Sequence, residues 1–276
     1  MARNQNYLLK MKVLVVGAGN MGLTYATSIG ESKMLGKKDL LIMDAAPDKV
    51  KSLENIEYFD AYDQIENCIG KADIVLIAVK PYHSSDLFQS IRDLVRPDQL
   101  FVSLMAGVTI KTIQDELGVR KVIRTMPNLP AQVGKGVTSF TTSPEVGAEE
   151  LKIVRKLLDT TGISLQVKDE ESIDASTGIS GSGPAYVFYF MQSMMEAAVE
   201  MGFSVEEARM LVLQTFAGAV ELFNQHDLSP EQWMNRVASK GGTTRAALDS
   251  MESNQVKDKI KEAAFAAFHR AVEIGG

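Results

Sequence analysis

Gly17-Ala-Gly19-Asn20-Met21-Gly22 directly follows the apolar run Val13–Val16 and opens a stretch of helical spacing. In that context G-x-G-x-x-G is a dinucleotide-binding turn. Gly17 permits the tight turn, Gly19 lets backbone approach a pyrophosphate, and Gly22 lets helix and strand pack closely. The helix start adds unpaired N–H groups and positive potential, and Asn20 is expected to cap it. Asp44 ends the next apolar run, Leu40–Asp44, at the position where a carboxylate hydrogen-bonds a ribose 2′-hydroxyl and repels a 2′-phosphate. Its neighbours Ala45, Ala46 and Pro47 supply no compensating cation. The expected cofactor is therefore NAD(P)H, with a slight lean to NADH. Asp44 otherwise only caps the following turn.

Two further segments close apolar runs on the same pattern. Ala78-Val79-Lys80-Pro81 ends the run from Asp73 and is expected to line the cofactor cleft, since ligands sit outside the carboxyl ends of strands. Lys80 there is either a solvated lysine or a cleft residue near phosphate or substrate. Arg124-Thr-Met-Pro-Asn128-Leu-Pro130 is stiffened by two prolines that fix Asn128. Asn128 either satisfies local backbone in a turn or brings its amide near the nicotinamide.

Two glycine-rich segments in the second half carry the other candidates. Thr177-Gly-Ile-Ser180-Gly-Ser-Gly-Pro184 reads as a loop before a long apolar helix, capped by Ser182 or Gly183 and presenting free N–H groups to a carboxylate. Ala238-Ser239-Lys240-Gly241-Gly242-Thr243-Thr244 opens a helix and forms an anion nest flanked by hydroxyls. Backbone N–H groups there suit a substrate carboxylate, and a hydroxyl suits a substrate nitrogen. Neither segment contains Asp, Glu or His, so no strong general acid presents itself.

The elements that must position these residues fall into two kinds. Strands are expected over Lys12–Gly17, Leu40–Asp44, Asp73–Val79, Leu100–Met105, Lys121–Met126, Val137–Thr142 and Ser164–Val167. Helical spacing lies between them over Asn20–Lys33, Ser84–Val95, Ile110–Leu117 and Val146–Thr160. That alternation predicts an α/β fold with a mostly parallel sheet, a Rossmann-type domain over residues 1–168. Residues 169–276 show no strand pattern and predict an all-helical domain: Pro184–Met201, Ser204–Gln225 with a capping box, Pro230–Ser239, Thr243–Glu252 and Asn254–Val272. Pro184–Met201 is almost uncharged before Glu196, which calls for burial within its own bundle or against a second subunit.

Composition excludes several other chemistries. The 276 residues carry 29 Lys+Arg against 35 Asp+Glu, a net charge of −6, which argues against nucleic acid as a partner. One cysteine and three scattered histidines leave no disulfide framework and no expected metal site. The N-terminus carries no signal-like apolar core and no apolar run reaches eighteen residues, so neither membrane nor export is expected and the cytoplasm is the expected location.

Taken in order, VGAGNMG, AVKP, RTMPNLP, TGISGSGPAY and SKGGTTRAAL closely resemble the pyrroline-5-carboxylate reductases, over nearly the whole chain. The resemblance implies a Rossmann domain joined to a helical domain that interleaves with a second subunit. It also implies an active site completed at that dimer interface, and decamers in many members. By this resemblance Gly241, Gly242 and Thr243 hold the substrate carboxylate through N–H groups, Ser239 and Ser180 also bind the substrate, and Thr244 hydrogen-bonds the ring nitrogen. Thr244 is then the catalytic candidate, since an imine nitrogen must gain a proton as hydride arrives. Lys240 departs from the family, which usually has proline there. Two rivals are a hydroxyacid dehydrogenase-like reductase and a non-catalytic NAD(P)-binding dimer. The first needs a lysine or histidine between Ser176 and Met201, where there is none. The second has no use for paired glycine–hydroxyl segments.

Overall fold

In the computed structural model residues 11–275 are described. Met1–Lys10, on which part of the N-terminal reading rests, lie outside the described residues. The described chain divides into two compact units, one running to Ser182 and regaining the chain from Ala267, the other Gly183–Ala266.

The first unit is built on one eight-stranded sheet. In chain order its elements are β1 (Val13–Val16), α1 (Asn20–Glu31), β2 (Leu40–Met43), α2 (Pro47–Leu53), β3 (Asp60–Tyr62), β4 (Ile74–Ile77) and α3 (Ser84–Ile91). There follow β5 (Leu100–Ser103), α4 (Ile110–Leu117), β6 (Lys121–Met126), β7 (Gly136–Thr142), α5 (Ala148–Leu158), β8 (Gly162–Gln166) and α6 (Glu170–Ser176). The strand order is β3-β2-β1-β4-β5-β6-β7-β8, and only the β6–β7 pair is antiparallel. This is the expected mostly parallel sheet. Alternate side chains of β1 enter opposite cores: Val13 and Val15 on one face with Tyr25 and Ile29, Leu14 and Val16 on the other with Phe88 and Ile91. Central strands buried on both sides explain why their sequences are continuously apolar. The order reverses between β1 and β4, and that switch point opens a crevice at the strand ends.

Several elements of the first unit go beyond the expected set, the seven-residue α6 among them. β3 is a three-residue edge strand, half-buried throughout. α2 has seven residues, with proline in its first turn. Thr177–Gly181 forms a π-helical turn after α6 instead of the expected loop. Ser182 keeps right-handed helical angles and donates its N–H to the Thr177 carbonyl at 2.9 Å, so it is not the expected cap.

The second unit is helical: α7 (Gly183–Glu200), α8 (Val205–Gln225), α9 (Pro230–Val237), α10 (Thr243–Ser253) and α11 (Val256–Gly275), which returns to the first unit. Ser204 and Glu207 form the expected capping box at α8, and Ser229 with Gln232 repeats it at α9. α7 buries none of its residues within the chain, and Tyr189 is 72% exposed. Its lack of charge is therefore not explained by burial in its own bundle.

Candidate active site

The glycine turn is shaped by what its glycines lack. Gly17 sits at φ +96°, where side chains are strained, and donates its N–H to the Met43 carbonyl at 2.7 Å. A Cβ on Gly22 falls on the Gly17 carbonyl oxygen. At Gly19 a Cβ meets nothing within 4 Å, so the backbone there faces open space. That open face, at the N-terminus of α1, fits a pyrophosphate. Gly19 is the N-cap residue, and the Asn20 side chain makes no capping hydrogen bond. The expectation that Asn20 caps α1 is corrected: it is the first helical residue and lines the cleft.

The cleft holds about 990 Å³. Gly17, Gly19, Asn20 and Met21 line it from the turn, Asp44 from the end of β2, and Ala78, Val79, Lys80 and Pro81 from the end of β4. Buried Gly22 shapes the turn from beneath. The structure thus gathers the expected dinucleotide residues, buried Gly22 and Asn128 excepted, into one concavity at the switch point. Lys49, His83 and Leu104–Ala106 also line it, and the sequence reading missed them. The end of β5 carried a usable signal, because residues following a strand beside the switch point face the crevice.

Asp44 holds the turn as much as it lines the cleft. Its Oδ2 accepts from the Ala18 N–H at 2.8 Å and from Lys49 Nζ at 3.0 Å, while Oδ1 accepts from the Ala46 N–H at 3.1 Å. Burial alone pushes the carboxyl up, but the hydrogen bonds from Lys49, Ala46 and Ala18 outweigh it and hold the group below its ordinary value. Ala45, Ala46 and Pro47 offer Asp44 no cation, but a residue beyond them does. Lys49 supplies one from α2, and the ground for an NADH lean falls away.

Asn128 and Ser180 are brought together. Asn128 Nδ2 donates to the Ser180 carbonyl at 3.1 Å, and its Oδ1 accepts from the Val137 N–H at 2.9 Å. Both ends of the amide are thus engaged with backbone. The Ser180 hydroxyl donates to the Ser176 carbonyl at 2.9 Å.

In the second unit, Gly241 takes φ +71° and Gly242 is the N-cap of α10. The Gly242 N–H donates to the Ser239 carbonyl at 3.1 Å, so of the expected carboxylate donors this one is used inside the turn. A Cβ on Gly242 runs into the Ser239 hydroxyl. The first intrahelical bond that closes over the turn is from the Ala246 N–H to the Gly242 carbonyl. The N–H groups of Thr243, Thr244 and Arg245 are thereby left as the orphan donors of a helix start. Thr244 is half-buried and Lys240 exposed.

Residues 170–274 match a family model described as pyrroline-5-carboxylate reductase dimerisation, and residues 12–107 one described as NADP oxidoreductase coenzyme F420-dependent. The chain is similar to pyrroline-5-carboxylate reductase of Pseudomonas aeruginosa, 34% identical over 267 residues, covering 95% of this chain and 96% of that one. The chain belongs to the pyrroline-5-carboxylate reductase family. Its fold is similar to the NADP-bound crystal structure of Plasmodium falciparum pyrroline carboxylate reductase, with a TM-score of 0.87 and 29% identity over 97% of this chain and 99% of that one. It is likewise similar to a pyrroline-5-carboxylate reductase structure from Coxiella burnetii, with a TM-score of 0.88 and 27% identity over 96% and 99% of the two chains.

Membership in the pyrroline-5-carboxylate reductases accounts for α7. α7, none of whose residues is fully buried in its own chain, lies within the segment that matches a dimerisation model, and that match supports self-association. Among the described residues no helix is long and apolar enough to cross a membrane, and no group of three His, Cys, Asp or Glu side chains is placed to hold a metal ion.

Proposed function

We propose that the protein transfers hydride from NAD(P)H to the C=N bond of 1-pyrroline-5-carboxylate, giving L-proline, the last step of proline biosynthesis. The Gly-Gly-Thr-Thr turn opening α10, on the same chain as a dinucleotide cleft, carries this reading. When bound, the reduced nicotinamide supplies the hydride. Gly17, Gly19 and the α1 N-terminus hold the pyrophosphate, and Ala78–Pro81 line the cleft beside it. Lys49 offers a cation to a 2′-phosphate without leaving Asp44 unpaired, because two N–H groups still hold that carboxylate.

The orphan N–H groups of Thr243, Thr244 and Arg245 bind the substrate carboxylate, with the helix dipole favouring the negative charge. Gly241 gives the turn its left-handed bend, and Ser239 anchors it through its carbonyl. The Thr244 hydroxyl bonds the ring nitrogen and stabilises the proton there as the C=N bond is reduced. The exposed Lys240 adds a positive charge at this turn, where it complements a carboxylate.

The protein acts in the cytoplasm as a homodimer, and dimers assemble further into a decamer. Spectrophotometric detection of NADPH and NADH oxidation on adding 1-pyrroline-5-carboxylate tests the function. No oxidation of either cofactor defeats it.

A further inference from the structure

Strand β6 and its extension present Arg124, Met126 and Asn128 at alternate positions, and all three meet the segment Glu170–Gly181. Arg124 Nη1 binds Glu170 Oε1 at 3.1 Å and its Nη2 binds Asp174 Oδ1 at 2.5 Å, with the Arg124 side chain 2% exposed. The Glu170 carboxylate also accepts the Ile110 N–H at 2.9 Å. Further along, the bare Cα of Gly181 leaves room for the Met126 methyl group, which lies 2.8 Å from where a Cβ would be. Asn128 then donates to Ser180. The head of α6 and the end of the π-turn are thus pinned to one face of a single strand.

Covalent structure explains the last contact. In an α-helix the Ser180 carbonyl takes its hydrogen from the N–H of residue 184, and that residue is proline, which has none. The π-turn already shifts the pairing by one residue, the Ser182 N–H going to Thr177. The Asn128 amide supplies the Ser180 carbonyl with a donor, and the Val137 N–H fixes the other end of that amide.

We infer that Asn128 is a positioning residue for the reaction: it holds the π-turn Thr177–Gly181, and with it Ser180, in the place the imine substrate requires. Arg124 anchors the other end of the same segment. The inference rests on the proposed function and takes Ser180, by the family resemblance, as a substrate-side residue. It assigns Asn128 no contact with the nicotinamide.

Asn128→Asp tests it, because an aspartate keeps the acceptor for Val137 but turns a second acceptor toward Ser180. The expected result is a KM for 1-pyrroline-5-carboxylate raised roughly tenfold, the cost of one lost and opposed hydrogen bond, with NADPH binding by fluorescence titration within about twofold of wild type. Adding Pro184→Ala returns an N–H at residue 184 and is expected to recover part of the lost imine affinity. An imine KM unchanged in Asn128→Asp overturns the inference. An equal loss toward both substrates also overturns it, being what general loosening gives, as does a double variant no better than the single. A wild-type chain that fails to reduce the imine counts against the proposed function instead. Positioning is then judged by hydrogen exchange of the 177–182 amides, which speeds in Asn128→Asp if Asn128 holds the turn and stays unchanged if it does not.

Discussion

Gly22 lies so close beneath Gly17 that a Cβ on it would clash with the Gly17 carbonyl oxygen. Gly19, three residues earlier in the same turn, faces nothing, and its φ of −70° suits any residue. The two glycines therefore separate stability from binding. Gly22→Ala forces α1 off the turn and is expected to cost about 1–3 kcal/mol, read as a lower urea midpoint. Gly19→Ala is expected to leave that midpoint unchanged while weakening NADPH roughly tenfold, the loss of about one backbone hydrogen bond to a charged phosphate. Equal effects of the two on stability contradict the assignment of Gly19 to the cofactor.

Asp44 makes the turn sensitive to acid. Its folded-state pKa lies below the ordinary value of 3.8, because the hydrogen bonds it accepts outweigh its burial. A depressed carboxylate adds stability that is complete above its unfolded value and is lost as pH falls through the folded one. The stability gap between wild type and Asp44→Asn is therefore expected to be constant from about pH 7 to pH 5 and to shrink as pH falls below roughly 4. Urea unfolding at a series of pH values measures it. A gap that widens on acidification contradicts the sign.

The site was legible in part, and the unread portions have physical causes. The glycine turn and the ends of β2 and β4 are sequence-local, so spacing alone placed them in the cleft. Lys49 escapes a reading of the immediate neighbours of Asp44, because α2 turns the chain back so that residue 49 meets the carboxylate. β3 went unread because three half-buried residues at a sheet edge offer no apolar run. Three glycines within Thr177–Pro184 suggest a loop, yet the segment through Gly181 is helical, and Gly181 is bare to admit Met126. The switch from strands to helices after β8 was plain in the sequence. The compact units divide later, after Ser182, because Arg124 and Asn128 tie the segment from Glu170 to the sheet through contacts distant in sequence.

Lys49 gives cofactor preference a test. Its ammonium lies against the Asp44 carboxylate, and both residues line the cleft. Lys49→Ala removes the cation and leaves Asp44 free to repel a 2′-phosphate. The ratio of kcat/KM for NADPH over NADH is expected to fall roughly tenfold or more, the range of a charge-assisted hydrogen bond. An unchanged ratio excludes Lys49 from cofactor selection.

Thr244 is the second residue of α10, half-buried, with no Asp, Glu or His in the turn to replace it. Thr244→Ala removes the hydroxyl and leaves the backbone N–H groups in place. The expected kcat loss is about 100-fold with 1-pyrroline-5-carboxylate, at an unchanged melting temperature, whereas the carboxylate-dependent part of KM moves little. A variant retaining wild-type kcat removes Thr244 from proton handling.

α7 carries the prediction about assembly. Phe188 is 59% and Tyr189 72% exposed, neighbours on a helix that buries no residue in its own chain. Leaving two aromatic rings in water forfeits about 25 cal/mol for every Å² that a partner would cover, and a partner chain offering the same helix recovers it on both sides. A carboxylate at this surface reverses the balance, since burial of an unpaired charge costs more than the ring contributes. Tyr189→Glu is expected to shift sedimentation from dimer or larger toward monomer. Because association stabilises the folded state by mass action, the wild-type melting temperature rises with protein concentration and that of the variant does not. Wild type and Tyr189→Glu sedimenting alike would place the association surface elsewhere on the chain.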